Sequence, residues 1–181
     1  MTLEEVIPVK QTNFLEDKAN LILVRNSIIH PYQINLHKII RNLGNIRVLC
    51  MDQDSRVIIR QSSAIIIINN KLPPKEQNQE LAEELSHIIL HCGNQVKYKK
   101  DIILDKQESQ AKRMSAYLLC PMFMLKNVKI MENTYLMIEE LAELFNVTYE
   151  FMEYRLSLIF GQDLNLIVHH KQNFYGYIPI E

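Results

Sequence analysis

The chain has 181 residues, of which 48% are hydrophobic and 23% are charged. These values are ordinary for a globular protein with an apolar core, and they exclude a long disordered chain. The formal net charge is −1, so no overall positive field draws the protein to nucleic acid or to an anionic membrane.

Three sequence features bear on where the protein works. The first residues lack the basic start and the apolar stretch of a secretory signal. The longest aliphatic run, residues 64–68, is much shorter than the roughly 20 residues that a membrane span needs. The three cysteines are odd in number and widely spaced, which is typical of reduced thiols and not of a disulfide framework. We therefore expect a cytoplasmic protein.

The first third of the chain shows a helical pattern of apolar residues, which is followed by a strand pattern. Apolar positions at helical spacing predict helices over residues 13–24 and 32–43, the second of which ends at Gly44. Three β-branched runs then predict three strands of one small sheet, at residues 45–51, 56–60 and 63–69.

The rest of the chain is mainly helical in pattern. The paired prolines that end at Pro74 precede a helix from Lys75 to Cys92, for which Gly93 is the predicted stop. The remaining elements are a helix from about Asp105 to Cys120, a helix pair over residues 139–145 and 149–160, and a terminal hairpin over residues 164–168 and 174–178.

Together these elements predict an α+β fold. We expect a small, mainly antiparallel sheet packed on the helix that begins near Lys75, followed by a helical C-terminal half. Residues 1–125 are expected to form one domain. Residues 126–181 are expected to form a helical extension, with the helix pair and the hairpin, that packs as one unit with it.

The predicted helix after Pro74 contains the residues that could carry chemistry. Glu83 and His87 are four positions apart, so both side chains project from one face and can converge on one metal ion. Glu84 is rotated by about 100° from Glu83, where it could reach a water molecule at that ion. Zinc peptidases use this logic in the His-Glu-x-x-His helix, whose Glu is the general base. A carboxylate can also bind zinc, so Glu83 is compatible with a metal site.

A second helix could complete the site. Glu108 lies in the first turns of a segment that also contains the small residues Ala111, Ser115 and Ala116. Small residues allow two helices to approach closely, so Glu108 could supply a third ligand. A fourth coordination position would then stay open for water, as catalytic zinc sites require.

These segments, taken in order, resemble the ImmA/IrrE-type metallopeptidases, which are common in phages and mobile elements. The family pattern is Leu-Ala-His-Glu-Leu-Gly-His-x-x-x-His, then Glu-x-x-Ala-x-x-x-Ala-x-x-Leu-Leu-x-Pro, then Leu-Ala-x-x-Phe-x-Val-Ser. This chain has Leu81-Ala-Glu-Glu-Leu-Ser-His-Ile-Ile-Leu-His91, then residues 108–121, then Leu141-Ala-Glu-Leu-Phe-Asn-Val-Thr148. The resemblance spans roughly residues 15–160.

The resemblance implies a role for each matching position. Glu83, His87 and Glu108 take the three metal-ligand positions, and Glu84 takes the position of the general base. The implied reaction is peptide hydrolysis assisted by zinc, or by manganese or another divalent metal. The implied partner is a protein substrate, namely a transcriptional repressor of a phage or mobile element.

Three alternatives remain open at this point. His87 and His91 are themselves four apart, so the ligands could be His87, His91 and Glu108. Because Glu83 and Ser86 replace the His and Gly of the pattern, the chain could be a catalytically degenerate relative that binds a repressor. The helix pair over residues 139–160 has the outline of a DNA-reading motif. Its second helix carries two acids near its start and one base, which favours a packing role.

Overall fold

A computed structural model describes residues 2–5, 7, 13–60, 62–91, 100–129, 135–161 and 177–179. Within these ranges the chain forms seven α-helices and five β-strands. In chain order they are α1 (Phe14–Arg25), α2 (Leu36–Leu43), β1 (Ile46–Met51), β2 (Arg56–Arg60), β3 (Ser63–Asn69), α3 (Pro74–His91), α4 (Lys100–Leu119), α5 (Met122–Leu125), β4 (Tyr135–Met137), α6 (Ile138–Leu144), α7 (Tyr149–Phe160) and β5 (Tyr177–Pro179).

The main sheet has the strand order β1-β3-β2, which confirms the α+β fold class. The sheet is mixed, because β3 pairs antiparallel with β2 and parallel with β1. The most apolar of the three strands, β3, takes the centre, where Ala64, Ile66, Ile67 and Ile68 are buried. The connections from β1 to β2 and from β2 to β3 are both short, so each strand runs opposite to the one before it and β3 runs parallel to β1. The sheet is therefore less antiparallel than expected.

Side-chain caps fix where the helices start. Asn13 accepts a hydrogen bond from the backbone N–H of Leu15 at 3.0 Å and begins α1 as predicted. The second predicted helix starts later than residue 32, because the Asn35 side chain caps α2 and residues 31–33 form a separate 3₁₀ turn. Gly44 ends α2 with a φ of 71°, a left-handed conformation that glycine adopts without strain.

The later elements match the sequence pattern with shifted bounds. The third helix, α3, starts at Pro74, and its predicted end at Cys92 and Gly93 lies outside the described residues. The next helix, α4, starts at Lys100, about a turn before the predicted start. Most of the predicted terminal hairpin also lies outside the described residues; its described part, β5, pairs antiparallel with β4.

The core lies between the helices and one face of the sheet, and the packing of α3 against α4 is its largest contact. The helix α4 carries small buried side chains, including Ala111, Ser115 and Ala116, of the kind that allows two helices to approach closely. Ser86 of α3 is fully buried, and its hydroxyl donates to the carbonyl of Ala82 at 2.6 Å. The serine is therefore accommodated where the family pattern has glycine.

A buried arginine joins the last long helix to the rest of the fold. Arg155 of α7 is 1% exposed and donates from Nη2 to Oε1 of Glu16 at 2.6 Å. Its Nε donates to the carbonyl oxygen of Cys120 at 2.7 Å, and its guanidinium lies over the Tyr117 ring at 4.7 Å. These contacts hold α7 against α1 and α4. The predicted division of the chain at residue 125 stays a prediction.

Two other sequence expectations concern the environment of the protein. Cys50 is exposed and Cys120 is buried, and both are free thiols, whereas Cys92 lies outside the described residues. Among the helices that the structure describes, none combines the length and the apolar character that crossing a membrane would demand.

We expect Arg155→Met to lower the free energy of unfolding by about 3–5 kcal/mol, because it leaves the mostly buried Glu16 carboxylate without its partner. Adding Glu16→Gln should restore part of this loss, since the unpaired charge is then removed. Urea unfolding of the single and double variants measures both effects.

The matched control breaks an exposed pair. Lys126→Met removes the 3.2 Å contact between Lys126 and Glu4 and should cost at most about 1 kcal/mol. An Arg155→Met protein that is as stable as the Lys126→Met protein would show that the buried pair does not hold α7 in place.

Candidate metal centre

One face of α3 presents the three candidate residues of the motif. Glu83, Glu84 and His87 are half-buried, whereas Leu81, Ala82, Leu85 and Ser86 face the core and are buried. The helical period produces this division, because positions 83 and 87 are one turn apart and lie above each other. The pair predicted from sequence spacing therefore projects together at the edge of the core.

Glu108 of α4 reaches the same place. Its Oε2 lies 3.3 Å from Nε2 of His87, although the two residues are 21 positions apart in the chain. One ligand atom each from Glu83, His87 and Glu108 can be chosen so that all three lie within 4.8 Å of one another. The His87 side chain is 14% exposed and that of Glu108 is 53% exposed, so the cluster opens to solvent on the α4 side.

The donor set fits a divalent metal ion. Bonds from zinc to nitrogen or carboxylate oxygen are about 2.1 Å long, so two ligands of a tetrahedral ion lie roughly 3.4 Å apart. The His87–Glu108 distance of 3.3 Å agrees with that spacing. The third donor, Glu83, offers a carboxylate oxygen within 4.8 Å of the other two ligand atoms.

The electrostatics of the cluster also favour a cation. Burial, followed by the negative charges of Glu80, Glu83 and Glu108, raises the pKa of Glu84 to about 7. Burial and the charge of Glu80 likewise raise the pKa of Glu83, which Lys112 partly offsets. Like charges this close disfavour one another's ionised form, and a bound cation would relieve the repulsion.

Three further groups lie around the carboxylates of Glu83 and Glu84 and were not predicted from the sequence. Glu80 lies one turn before Glu83 and Glu84 on α3, and Lys112 lies one turn after Glu108 on α4, so the helical spacing could have identified both. The third group is the backbone of Val57 in β2, which interacts with the Glu84 carboxylate through a hydrogen bond and lowers its pKa. A backbone contact between distant segments leaves no signal in the sequence.

Among the described side chains, His87 is the histidine of the cluster, and no other histidine joins it. His91 is the last residue of α3, and its side chain lies outside the described part of the structure, so the alternative ligand set with His91 stays untested. His30 stacks on Tyr32 with a centroid distance of 5.4 Å, and His37 is exposed on α2.

The helix pair α6–α7 packs into the core. Its buried side chains include Ile138, Leu141, Phe151 and Leu156. Arg155 is the single basic residue of α7, and it is buried against Glu16, where it cannot reach a phosphate. The described pair is therefore a packing element, and it lacks the exposed basic side chains that DNA contacts need.

The fold is α+β, and the motif helix α3 and the next helix α4 both contribute side chains to one candidate metal centre. This is the organisation of a metallopeptidase-like domain. The comparison with protein families gives the particular family. The model of the Peptidase_M78 family, described as the IrrE N-terminal-like domain, matches residues 38–157, and the chain belongs to this family. Membership confirms the resemblance inferred from the sequence and implies a divalent metal and a protein substrate.

The chain is also similar to a further protein in sequence and to a solved structure in fold. It is 27% identical over 166 residues to the phage-like element PBSX protein XkdA of Bacillus subtilis (strain 168), a match that covers 87% of this chain and 83% of the relative. A solved Mycobacterium tuberculosis transcriptional regulator has a similar fold, with a TM-score of 0.55 at 15% identity. That match covers 79% of this chain but only 46% of the regulator's chain.

The raised pKa of Glu84 predicts a pH-dependent stability of the metal-free protein. Between pH 4.5, the ordinary pKa of the group, and about pH 7, the folded state holds a proton that the unfolded chain has released. The contribution of this group to the free energy of unfolding therefore falls as the pH rises through that window. With EDTA present, we expect Glu84→Gln to melt on the order of 2–4 °C above the wild type at pH 8, and close to it at pH 5.

Differential scanning calorimetry of both proteins at several pH values measures the difference. Glu140→Gln, at an exposed position of α6, serves as the control and should shift the melting temperature equally at both pH values. A Glu84→Gln protein that melts below the wild type at pH 8 would contradict the electrostatic account of this cluster.

Proposed function

We propose that this protein is a zinc-dependent endopeptidase that cleaves a regulatory protein, namely a transcriptional repressor of a phage or mobile element. The observation that carries the proposal is the convergence of Glu83, His87 and Glu108, with ligand atoms within 4.8 Å, beside the carboxylate of Glu84. Membership of the Peptidase_M78 family and the relative from a phage-like element support it.

The proposed ligands are His87, Glu83 and Glu108. One imidazole nitrogen and two carboxylate oxygens suit zinc, and manganese is the second choice because carboxylates are hard ligands. A bound metal of this kind supplies a Lewis acid that polarises a peptide carbonyl and makes water more acidic. The positive charge of Lys112 opposes the rise in the pKa of Glu83. It also reduces the net negative charge around the ligand set.

Glu84 is the proposed general base. It takes a proton from the attacking water at a carboxylate oxygen and returns it to the leaving amine. Its position next to Glu83 in the chain keeps it beside the ligand set without making it a ligand.

The proposed substrate site runs along β2. This strand is at the edge of the sheet and packs against α3. The peptide N–H of Val57 interacts with the Glu84 carboxylate, so it is not used in the pairing with β3. It therefore points to the free edge of β2. The period of two in a strand then directs the peptide groups of Ile59 to the same edge. An extended peptide paired with these groups would pass directly beside Glu84.

The proposed setting is the cytoplasm, where a repressor acts and where free thiols such as Cys50 and Cys120 stay reduced. A second candidate function keeps the cleft but not the reaction. Glu83 stands where the family pattern has His, so the cluster carries one more negative charge than that pattern provides. A relative that binds a repressor without cutting it would tolerate this change.

The test is cleavage of a peptide library prepared from a cellular proteome, with new peptide termini identified by mass spectrometry. We expect the zinc-loaded wild type to generate a consistent set of new termini. Glu84→Gln should retain zinc but reduce the cleavage rate by roughly 10²–10⁴-fold, because an amide cannot accept the proton of water.

Glu140→Gln, remote from the cluster in sequence and exposed on α6, is the control and should cut at the wild-type rate. A zinc-loaded Glu84→Gln protein that cuts as fast as the wild type would exclude Glu84 as the base. A zinc-loaded wild type that generates no new termini would favour the binding function over the peptidase.

A further inference from the structure

The face of the main sheet that points away from the helices is open. Register places Arg47, Leu49 and Met51 of β1, Ile65 and Ile67 of β3, and Arg56, Ile58 and Arg60 of β2 on this face. The alternate residues of the same strands, such as Val48, Val57 and Ile66, pack into the core. We call the outward set the open sheet face.

The centre of the open sheet face is aliphatic. Leu49 and Met51 are 44% and 43% exposed, Ile58 is 37% exposed, and Ile65 is half-buried. Ile67, on the central strand, points to the same face but is only 5% exposed. Single exposed apolar residues are common on protein surfaces, but a contiguous patch with a polar rim marks an interaction site.

Arginines flank this patch from both edges of the sheet. Arg47 is on β1, in register with Ile65 and Ile58, whereas Arg56 and Arg60 are on β2 at the opposite edge. All three are exposed, and no ion pair of theirs is present among the described residues; Arg56 donates only to Gln53 at 3.0 Å. The three strands contain no acidic residue, so the charged side chains on this face are all positive.

We propose that the open sheet face binds a short amphipathic helix of another protein, with acidic side chains on both flanks of its apolar stripe. The outer strands are roughly 10 Å apart and about 17 Å long, dimensions that match one helix of about 10 Å diameter. Such a helix would place its stripe on Leu49, Ile58 and Ile65 and its acids against the arginines of the two edges. Arginine is enriched at interfaces for this purpose.

Charge and size separate this occupant from two others. A second copy of the chain would bring the same arginines against each other in a symmetric contact. A stable dimer also needs about 800 Å² from each partner, which is more area than a face of roughly 10 Å by 17 Å offers. A single-stranded nucleic acid would need aromatic side chains for base stacking, and the three strands contain none.

The experiment selects binders from a phage-displayed library of random 16-residue peptides on the immobilised wild-type protein. We expect the selected peptides to combine aliphatic residues at helical spacing with flanking Asp or Glu. Fluorescence anisotropy of a labelled synthetic copy of the strongest binder then gives its Kd for each protein variant, with and without EDTA.

Arg47→Glu with Arg60→Glu reverses one charge at each edge of the sheet and should weaken binding by about ten-fold or more. Ile58→Thr keeps a β-branched residue but removes apolar contact, and it should also weaken binding. The control, Arg25→Glu with Lys38→Glu, changes the net charge equally on the exposed surfaces of α1 and α2 and should leave the Kd within about two-fold. Circular dichroism checks that each variant is folded.

A peptide with Lys in place of its acids should prefer the double charge-reversal variant, which a general loss of stability could not produce. Selected peptides without acidic residues, or peptides that bind that variant as well as the wild type, would overturn the proposal. So would concentration-dependent dimerisation that Ile58→Thr abolishes, or preferential binding of a labelled 20-nucleotide single strand. Binding unchanged by EDTA separates this interface from the metal centre.

Discussion

The crossing of α3 and α4 forces several carboxylates into one half-buried place. Glu80, Glu83 and Glu84 come from one face of α3, and Glu108 comes from α4 to within 3.3 Å of His87. A group of like charges at the edge of an apolar core is unfavourable unless protons or a cation neutralise it. The cluster therefore favours a bound proton or a bound cation, and the proposed chemistry depends on a cation taking this place.

The rest of the fold holds this crossing in place. Small residues such as Ala82 and Ser86 of α3 and Ala116 of α4 are fully buried where these helices pack into the core. Arg155 fixes the far end of α4 by its bond to the carbonyl of Cys120, and it joins that end to α1 through Glu16. Because a metal site tolerates only small errors in ligand position, this packing is part of the site.

Local patterns made much of this predictable from the sequence. Glu83, Glu84 and His87 lie on a single helix, so their spacing alone determines that they project together. Glu108 was a weaker prediction, which rested on the small residues of its helix and on the family resemblance, since no spacing rule brings two helices into contact. The strand order could not be predicted from the sequence, because β-branched runs predict strands but not which strand lies at the centre of the sheet. The contribution of Val57 is a backbone contact and has no sequence signal.

The most direct test is the metal content of the untagged protein, measured by elemental mass spectrometry after incubation with zinc and dialysis. The account predicts about one zinc per chain in the wild type and in a Glu140→Ala control. His87→Ala and Glu108→Ala should each reduce zinc affinity by at least about 10–100-fold. A wild-type protein that retains no zinc, manganese or other divalent metal, or variants that retain it fully, would contradict the assignment of this cluster as a metal centre.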